Sequence, residues 1–291
     1  MSIEKLLHLF NNVKDIINII SARIKKAAIS AYSGQSAFFM MLSFFPFLMF
    51  IFALLKYTPF DKNELIAIAA IFLPDSFKSF LTELINDIYL NQSATMLPVT
   101  IIISLWLGSK SFISLIQGIN SVNEIEEDRN FIVIRFFSVL YTIAFAALII
   151  ATLTIMVFGN VIYYYVCRYF PILGDTVLYI ISLRPVISFI IMSVFFTIMY
   201  VVLPNRKTKL SRQIPGALIA SCGWIIFSYL YSFYIDHYSN YSTFYGAMTI
   251  IALLMVWLYC CMYILFLGSF INYLLEQEHI SDYLKLLKKE L

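Results

Sequence analysis

Hydrophobic and polar positions divide the chain into long blocks. Stretches free of Asp, Glu, Lys and Arg cover residues 27–55, 88–109, 136–167, 185–205, 213–235 and 237–275. About 20 largely apolar residues in a helix cross the ~30 Å hydrocarbon layer, so each block is long enough to span. Backbone in lipid must satisfy its own hydrogen bonds, which leaves helices or a closed barrel. A barrel would show short alternating segments, whereas these blocks are continuously apolar. The pattern therefore predicts an all-α polytopic membrane protein with six transmembrane helices, over about 36–56, 97–118, 136–158, 180–203, 214–236 and 246–272. Pro46 falls inside the first span and is expected to kink it. Pro215 falls at the start of the fifth, where a missing N–H does little harm.

The segments between the blocks carry patterns of their own. Over residues 1–28, Ile3, Leu6, Phe10, Val13, Ile17, Ile20 and Ile24 recur at steps of three and four, one face of a helix. Lys5, Lys14, Asp15, Arg23, Lys25 and Lys26 mostly avoid that face. Two readings are open: a helix lying on the inner leaflet, or one docked on the bundle. No cleavable secretory signal is expected, because a short basic region followed by a compact apolar core is missing. Residues 59–95 are too polar to span. They read as two short amphipathic helices on the outer surface, divided at Pro74 and Asp75, and either cap a cavity or pack at the interface. Residues 273–291 form a polar tail, and the whole of 1–291 is one membrane domain.

Composition sharpens the class. Hydrophobic residues make up 61% of the chain and charged residues 13%, with 27 Phe, 20 Tyr and 3 Trp, and mean hydropathy is +0.85. So few charges could not solubilise that apolar surface in water, which excludes a soluble enzyme and a disordered chain. A net charge of +3 is too small for nucleic acid as a partner. With the N-terminus inside, 14 Lys and Arg fall on inner segments and 5 on outer ones, so both termini are expected in the cytoplasm. Cys167, Cys222, Cys260 and Cys261 form no Cys-x-x-Cys pair, so neither a disulfide framework nor a zinc site is suggested.

Few residues offer chemistry. Lys110 is the 14th residue of a span starting at Leu97, about 12 Å from its inner end at ~1.5 Å per residue. Charge at that depth is a functional candidate by default. On a helix it shares a face with Ser114, Gln117 and Ser121, while Ser104, Gly108, Ser111 and Gly118 form an adjoining stripe of small residues. That helix either lines an aqueous path with Lys110 facing an anion, or makes a close seam with Lys110 snorkelling inward. Asp236 and His237, among the tyrosines that end the fifth span, read as an interfacial belt or as a proton relay. Gly216 with Ala220, and Gly268 with Asn272, have the spacing of tight helix packing. Three scattered histidines give no metal-ligand spacing, and no phosphate loop or hydrolase motif occurs, so no metal, no cofactor and no enzymatic activity are expected.

Several short motifs, taken in order, make the chain resemble the YihY/BrkB family of bacterial inner-membrane proteins. They begin with Ala31-Tyr-Ser-Gly-Gln-Ser-Ala-Phe38 and Leu42-Ser-Phe-Phe-Pro46, then Asn120 and Glu127-Asp-Arg129. Leu203-Pro204-Asn205, Pro215-Gly216-Ala217, Tyr245-Gly246, Leu254-Met-Val-Trp257 and Gly268-Ser-Phe-Ile-Asn272 follow. Two positions depart: Phe270 stands where relatives carry an acid, and Lys110 where small residues are usual. The resemblance implies six helices, cytoplasmic ends and a bacterial inner-membrane location, and no settled activity. Members have carried a ribonuclease label and a virulence or serum-resistance association. Three functions remain in view: a transporter or exporter of an unknown small solute, a non-transporting envelope or assembly factor, and, last, a membrane-bound enzyme. The lipid bilayer is the one partner expected outright.

Overall fold

The computed structural model describes residues 18, 20–55, 82, 86, 96–147, 184–238 and 247–276, and among them every regular element is helical. Six long helices follow one another: α1 (Ile29–Leu55), α2 (Met96–Val122), α3 (Phe131–Ala147), α4 (Arg184–Val202), α5 (Leu210–Tyr238) and α6 (Ala247–Glu276). A short helix over 20–26 precedes α1. The outer helical pair at 59–95, Tyr245, Gly246 and the tail from 277 lie outside the described residues, apart from the isolated positions 82 and 86.

The exposed faces are apolar. Pro98–Val122, Leu210–Ile235 and Ile251–Glu276 are long and apolar enough to cross a membrane, and Phe131–Ala147 and Ser188–Val202 are shorter apolar helices. Only 11% of the apolar window of α5 is buried, and Ile219, Ile226, Leu230 and Phe233 face outward. On α4, Ile190, Val194 and Ile198 are exposed while Ser193, Thr197 and Tyr200 point inward. Such a distribution would be costly in water at ~25 cal/mol per Å² of apolar surface. It suits hydrocarbon, where small and polar residues form the helix contacts.

Helix α6 sits centrally, packing on α5, α1 and α2, while α4 packs on α5. Ile29, Leu115, Ile116, Ile119, Leu265 and Phe266 form the buried core of this junction. Helix α3 leans on α2 and α4 through rings, Phe112 on Tyr141 and Phe145, and Phe145 on Phe195. Glycines set the closest approaches. A Cβ on Gly118 would run into the Phe266 ring and lie 2.9 Å from Tyr32 Cβ, and one on Gly216 would meet Gly268 O and the Asn272 side chain.

Two local expectations change. Helix α5 begins at Leu210 rather than at 214, so Pro215 lies inside it and leaves the Ser211 carbonyl without a helical donor. The charges at Lys209 and Arg212 read as a span boundary, but interfacial charges do not stop a helix. Arg23, expected to avoid the apolar face of its helix, is nonetheless buried, 7% exposed. The 20–26 helix ends at Ala28 in the left-handed region (φ 51°), and Ile20 and Ile24 pack against the core. Over the described residues this segment is docked on the bundle.

Candidate functional site

The predicted polar face of α2 lies along its outer edge, next to α1. Gln117 is exposed, Lys110 and Ser121 are half-buried, and Ser114 is buried. That gradient follows the helix angle, since the four residues fan across about 60° at 100° per residue. Lys110 Nζ stands 5.1 Å from the centre of the Phe39 ring of α1, and no carboxylate among the described residues pairs with it. Ser121 Oγ donates to Ala27 O at 2.9 Å. It satisfies a carbonyl left over where the N-terminal helix breaks. One turn above Lys110, Trp106 is 59% exposed. The Arg135 guanidinium of α3 lies 3.9 Å from the Trp106 ring centre and donates to Trp106 O at 3.3 Å. Asp236 and His237 sit in the last turn of α5. His237 is exposed, its ring 4.0 Å from Phe233 and its Nδ1 2.9 Å from Phe233 O.

The small stripe faces the other way. Ser104, Gly108 and Ser111 line a cavity of about 350 Å³ between α1, α2 and α3, together with Met40, Phe44, Phe112 and Ala146. Its hydroxyls are turned into backbone. Ser43 donates to Met40 O (2.8 Å), Ser104 to Ile101 O (2.9 Å), Ser111 to Ser36 O (2.9 Å) and Thr142 to Ser138 O (2.7 Å). The cavity therefore offers hydrocarbon to a ligand and few free polar groups.

A polar layer joins the helices at the opposite end. Asn120 Nδ2 donates to Glu127 Oε2 at 2.7 Å, and Asn120 Oδ1 accepts from the Asn205 amide at 3.0 Å. Arg129 donates to Glu127 from Nε (2.7 Å) and Nη2 (2.6 Å), and reaches Leu203 O at 3.0 Å. The Arg129 guanidinium, outweighing partial burial, holds the Glu127 carboxyl below its ordinary value, and Glu127 raises Arg129 in return. Helix α2 closes in a Schellman arrangement, with Ile125 N on Asn120 O (2.9 Å) and Glu124 N on Ser121 O (3.3 Å). Glu124 (φ 54°) occupies the left-handed position usually held by glycine. Its carboxylate pairs with Arg23, lies 3.6 Å from Lys26 and accepts from Tyr273 OH at 2.7 Å. The bond from Arg23, aided by Tyr273, lowers the Glu124 carboxyl against the burial that raises it. On the α5–α6 seam, Asn272 accepts from the Gly216 amide (2.6 Å) and donates to Gln213 O (2.9 Å) and Oε1 (3.0 Å). Gln213 then donates to Glu276 (2.7 Å), which also pairs with Arg206. Pro204, buried beside Asn205, completes the α4–α5 turn.

The family model described as virulence factor BrkB matches residues 20–290. The chain belongs to the BrkB family. Among curated relatives, a protein named ribonuclease-like, YfkH of Bacillus subtilis (strain 168), is 32% identical over 249 residues, covering 84% of this chain and 90% of that one. A UPF0761 membrane protein of Alteromonas mediterranea is 25% identical, with 92% of each chain covered. Another from Pseudoalteromonas atlantica is 23% identical, over 87% of this chain and 83% of its own. No solved structure matches.

Residues that carry the sequence resemblance thus gather in the polar layer in two bonded groups, Asn120 with Glu127, Arg129 and Asn205, and Gly216 with Asn272. Lys110 does not join them, nor does His237. Sequence reading passed over Gln213, Glu276 and the Arg23–Tyr273 pair. Gln213 carries a usable sequence signal, an amide at the head of a charge-free block two residues before Pro215-Gly216. In the sequence Arg135 is one charge among those on the expected inner segments, and its place on Trp106 depends on how α3 crosses α2. Among the described residues no group of three His, Cys, Asp or Glu could hold a metal ion.

Proposed function

We propose that this BrkB-family membrane protein crosses the bacterial inner membrane six times, with both ends cytoplasmic. It transports an amphipathic solute rather than a small hydrophilic one. The apolar cavity beside α2 carries this reading: its serine and threonine hydroxyls are bonded to carbonyls, so an acyl chain fits it better than a polar solute does. The polar face of Lys110 and Gln117 opens at the outer edge of the bundle, where a headgroup could travel while its chains stay in lipid. The test is reconstitution into vesicles carrying a fluorescent phospholipid in one leaflet. The chain is expected to speed its crossing, and a cavity-filling Ala146→Phe variant to slow it. No acceleration with phosphatidylglycerol, phosphatidylethanolamine or a fatty acid overturns transport.

A second reading, a non-transporting envelope or assembly factor, is favoured by the polar layer, which ties α2, α4, α5 and α6 together through internal bonds. Under either reading the protein is not an enzyme and takes neither a cofactor nor nucleic acid. The ribonuclease-like name of YfkH finds little support in this chain: Glu124, Glu127 and Glu276 are each engaged by an arginine, whereas a nuclease needs carboxylates free for metal.

A further inference from the structure

Two cations meet the outer edge of α2: Lys110 from α2 itself, and Arg135, which reaches from α3 to Trp106, one helical turn from Lys110. Arg135 covers the Trp106 ring and caps the Trp106 carbonyl, the same carbonyl that the Lys110 amide meets in the helical ladder. Lys110 sends its ammonium to the Phe39 side of the same ridge. Trp106 between them is exposed. Among the described residues neither cation has a carboxylate within 4.0 Å, whereas Arg23, Arg129 and Arg206 are each paired with a glutamate. An unpaired cation facing hydrocarbon is costly, and ring faces and a carbonyl offset only part of that cost. The complement missing from both is an anion, and the medium against this face holds anions only as headgroups.

We infer that Lys110 and Arg135 bind the phosphate of an anionic phospholipid drawn part-way below the headgroup plane, with Trp106 and Phe39 flanking it. Trp106 offers its edge to the glycerol region and its face to Arg135. The apolar faces of α2 and α3 around it, Ile102, Phe136 and Leu140 among them, accommodate the chains. This deepens the transport reading and rests on it for a purpose, but binding is measured apart from movement.

The full chain is purified in detergent and exposed to phosphatidylglycerol, phosphatidylcholine or inorganic phosphate, and retained lipid is read by native mass spectrometry. Wild type is expected to retain phosphatidylglycerol over phosphatidylcholine. Lys110→Gln and Arg135→Gln should each lower that retention by about fivefold, as expected for one cation near the membrane surface. Both side chains lie outside the core, and the Lys110→Arg, Arg135→Lys pair keeps charge, so it should restore retention where a fold defect would not. Equal retention of the two lipids, unchanged retention in the double Gln variant, or full displacement by millimolar inorganic phosphate overturns the site. A vesicle assay without lipid movement, alongside intact selective retention, overturns only the transport reading.

Discussion

Among the described residues, two stand in the left-handed region without being glycine, and they do so for different reasons. Ala28 turns the chain between the N-terminal helix and α1, with only backbone bonds to hold it. Glu124 does the same at the end of α2, but its carboxylate is bonded to Arg23 and Tyr273. A non-glycine residue there costs roughly 1–2 kcal/mol. Ala28→Gly should therefore raise the thermal unfolding midpoint of the detergent-solubilised protein, by the equivalent of about 1 kcal/mol. Glu124→Gly should show no such gain, because it removes the ion pair that docks the N-terminal helix. Glycines divide likewise: Gly34 has open space around it and Gly118 has Phe266 against it. Gly34→Ala should be neutral or stabilising, by up to about 1 kcal/mol of helix propensity. Gly118→Ala should be destabilised by about 1–3 kcal/mol through overpacking. Equal melting of those two variants would remove the distinction. The sequence separates these glycines only in part, by the small-residue stripe that includes Gly118; the size of the difference is set by the neighbouring helix.

At the scale of elements, the α5–α6 seam depends on one amide. Pro215 interrupts the α5 ladder, and Asn272 supplies the acceptor for Gly216 and the donor for Gln213. Asn272→Leu should leave buried polar groups unpaired and cost about 1–3 kcal/mol. In a double-mutant cycle with Gln213→Leu the two changes should couple, because the second removes part of what the first leaves unsatisfied. Strict additivity would place the two side chains outside a shared network. The joint between the α2–α3 and α4–α5 connections responds to pH instead. Arg129 lowers the Glu127 carboxyl from its ordinary value of 4.5, so the folded protein binds that proton less readily than the unfolded chain. Stability from this pair is then fully present above pH 4.5 and is lost as pH falls through the depressed folded value. Melting temperature should drop on acidification below that point, and Glu127→Gln should flatten the drop while lowering stability at neutral pH. An identical acid profile in the variant would assign the loss to other carboxylates, Glu124 first. The helices themselves were legible, because hydrocarbon demands long apolar blocks. Their ends were less so: α1, α2 and α5 continue past their apolar stretches into polar turns such as Ser30–Ser36, where hydropathy falls but the helix persists.

Among the described residues of the whole molecule, the polar contacts between helices gather at one end, and the proposed orientation turns on that end. Arg23 before α1, Glu124 and Arg129 after α2, Leu203 after α4 and Arg206 before α5 meet there, and Glu276 at the end of α6 joins them. Contacts between these connections put them on one side of the bundle, which agrees with the proposed six crossings, an even number between each connection and the next. The distribution of Lys and Arg favours the cytoplasm for that side. Single cysteines placed at Lys26, Glu126 and Lys207, in a background with Cys167, Cys222, Cys260 and Cys261 replaced by serine, should then react with a membrane-impermeant maleimide in inside-out vesicles and not in intact cells. Labelling of all three in intact cells would invert the orientation while keeping the shared side; labelling on different sides would break the even count.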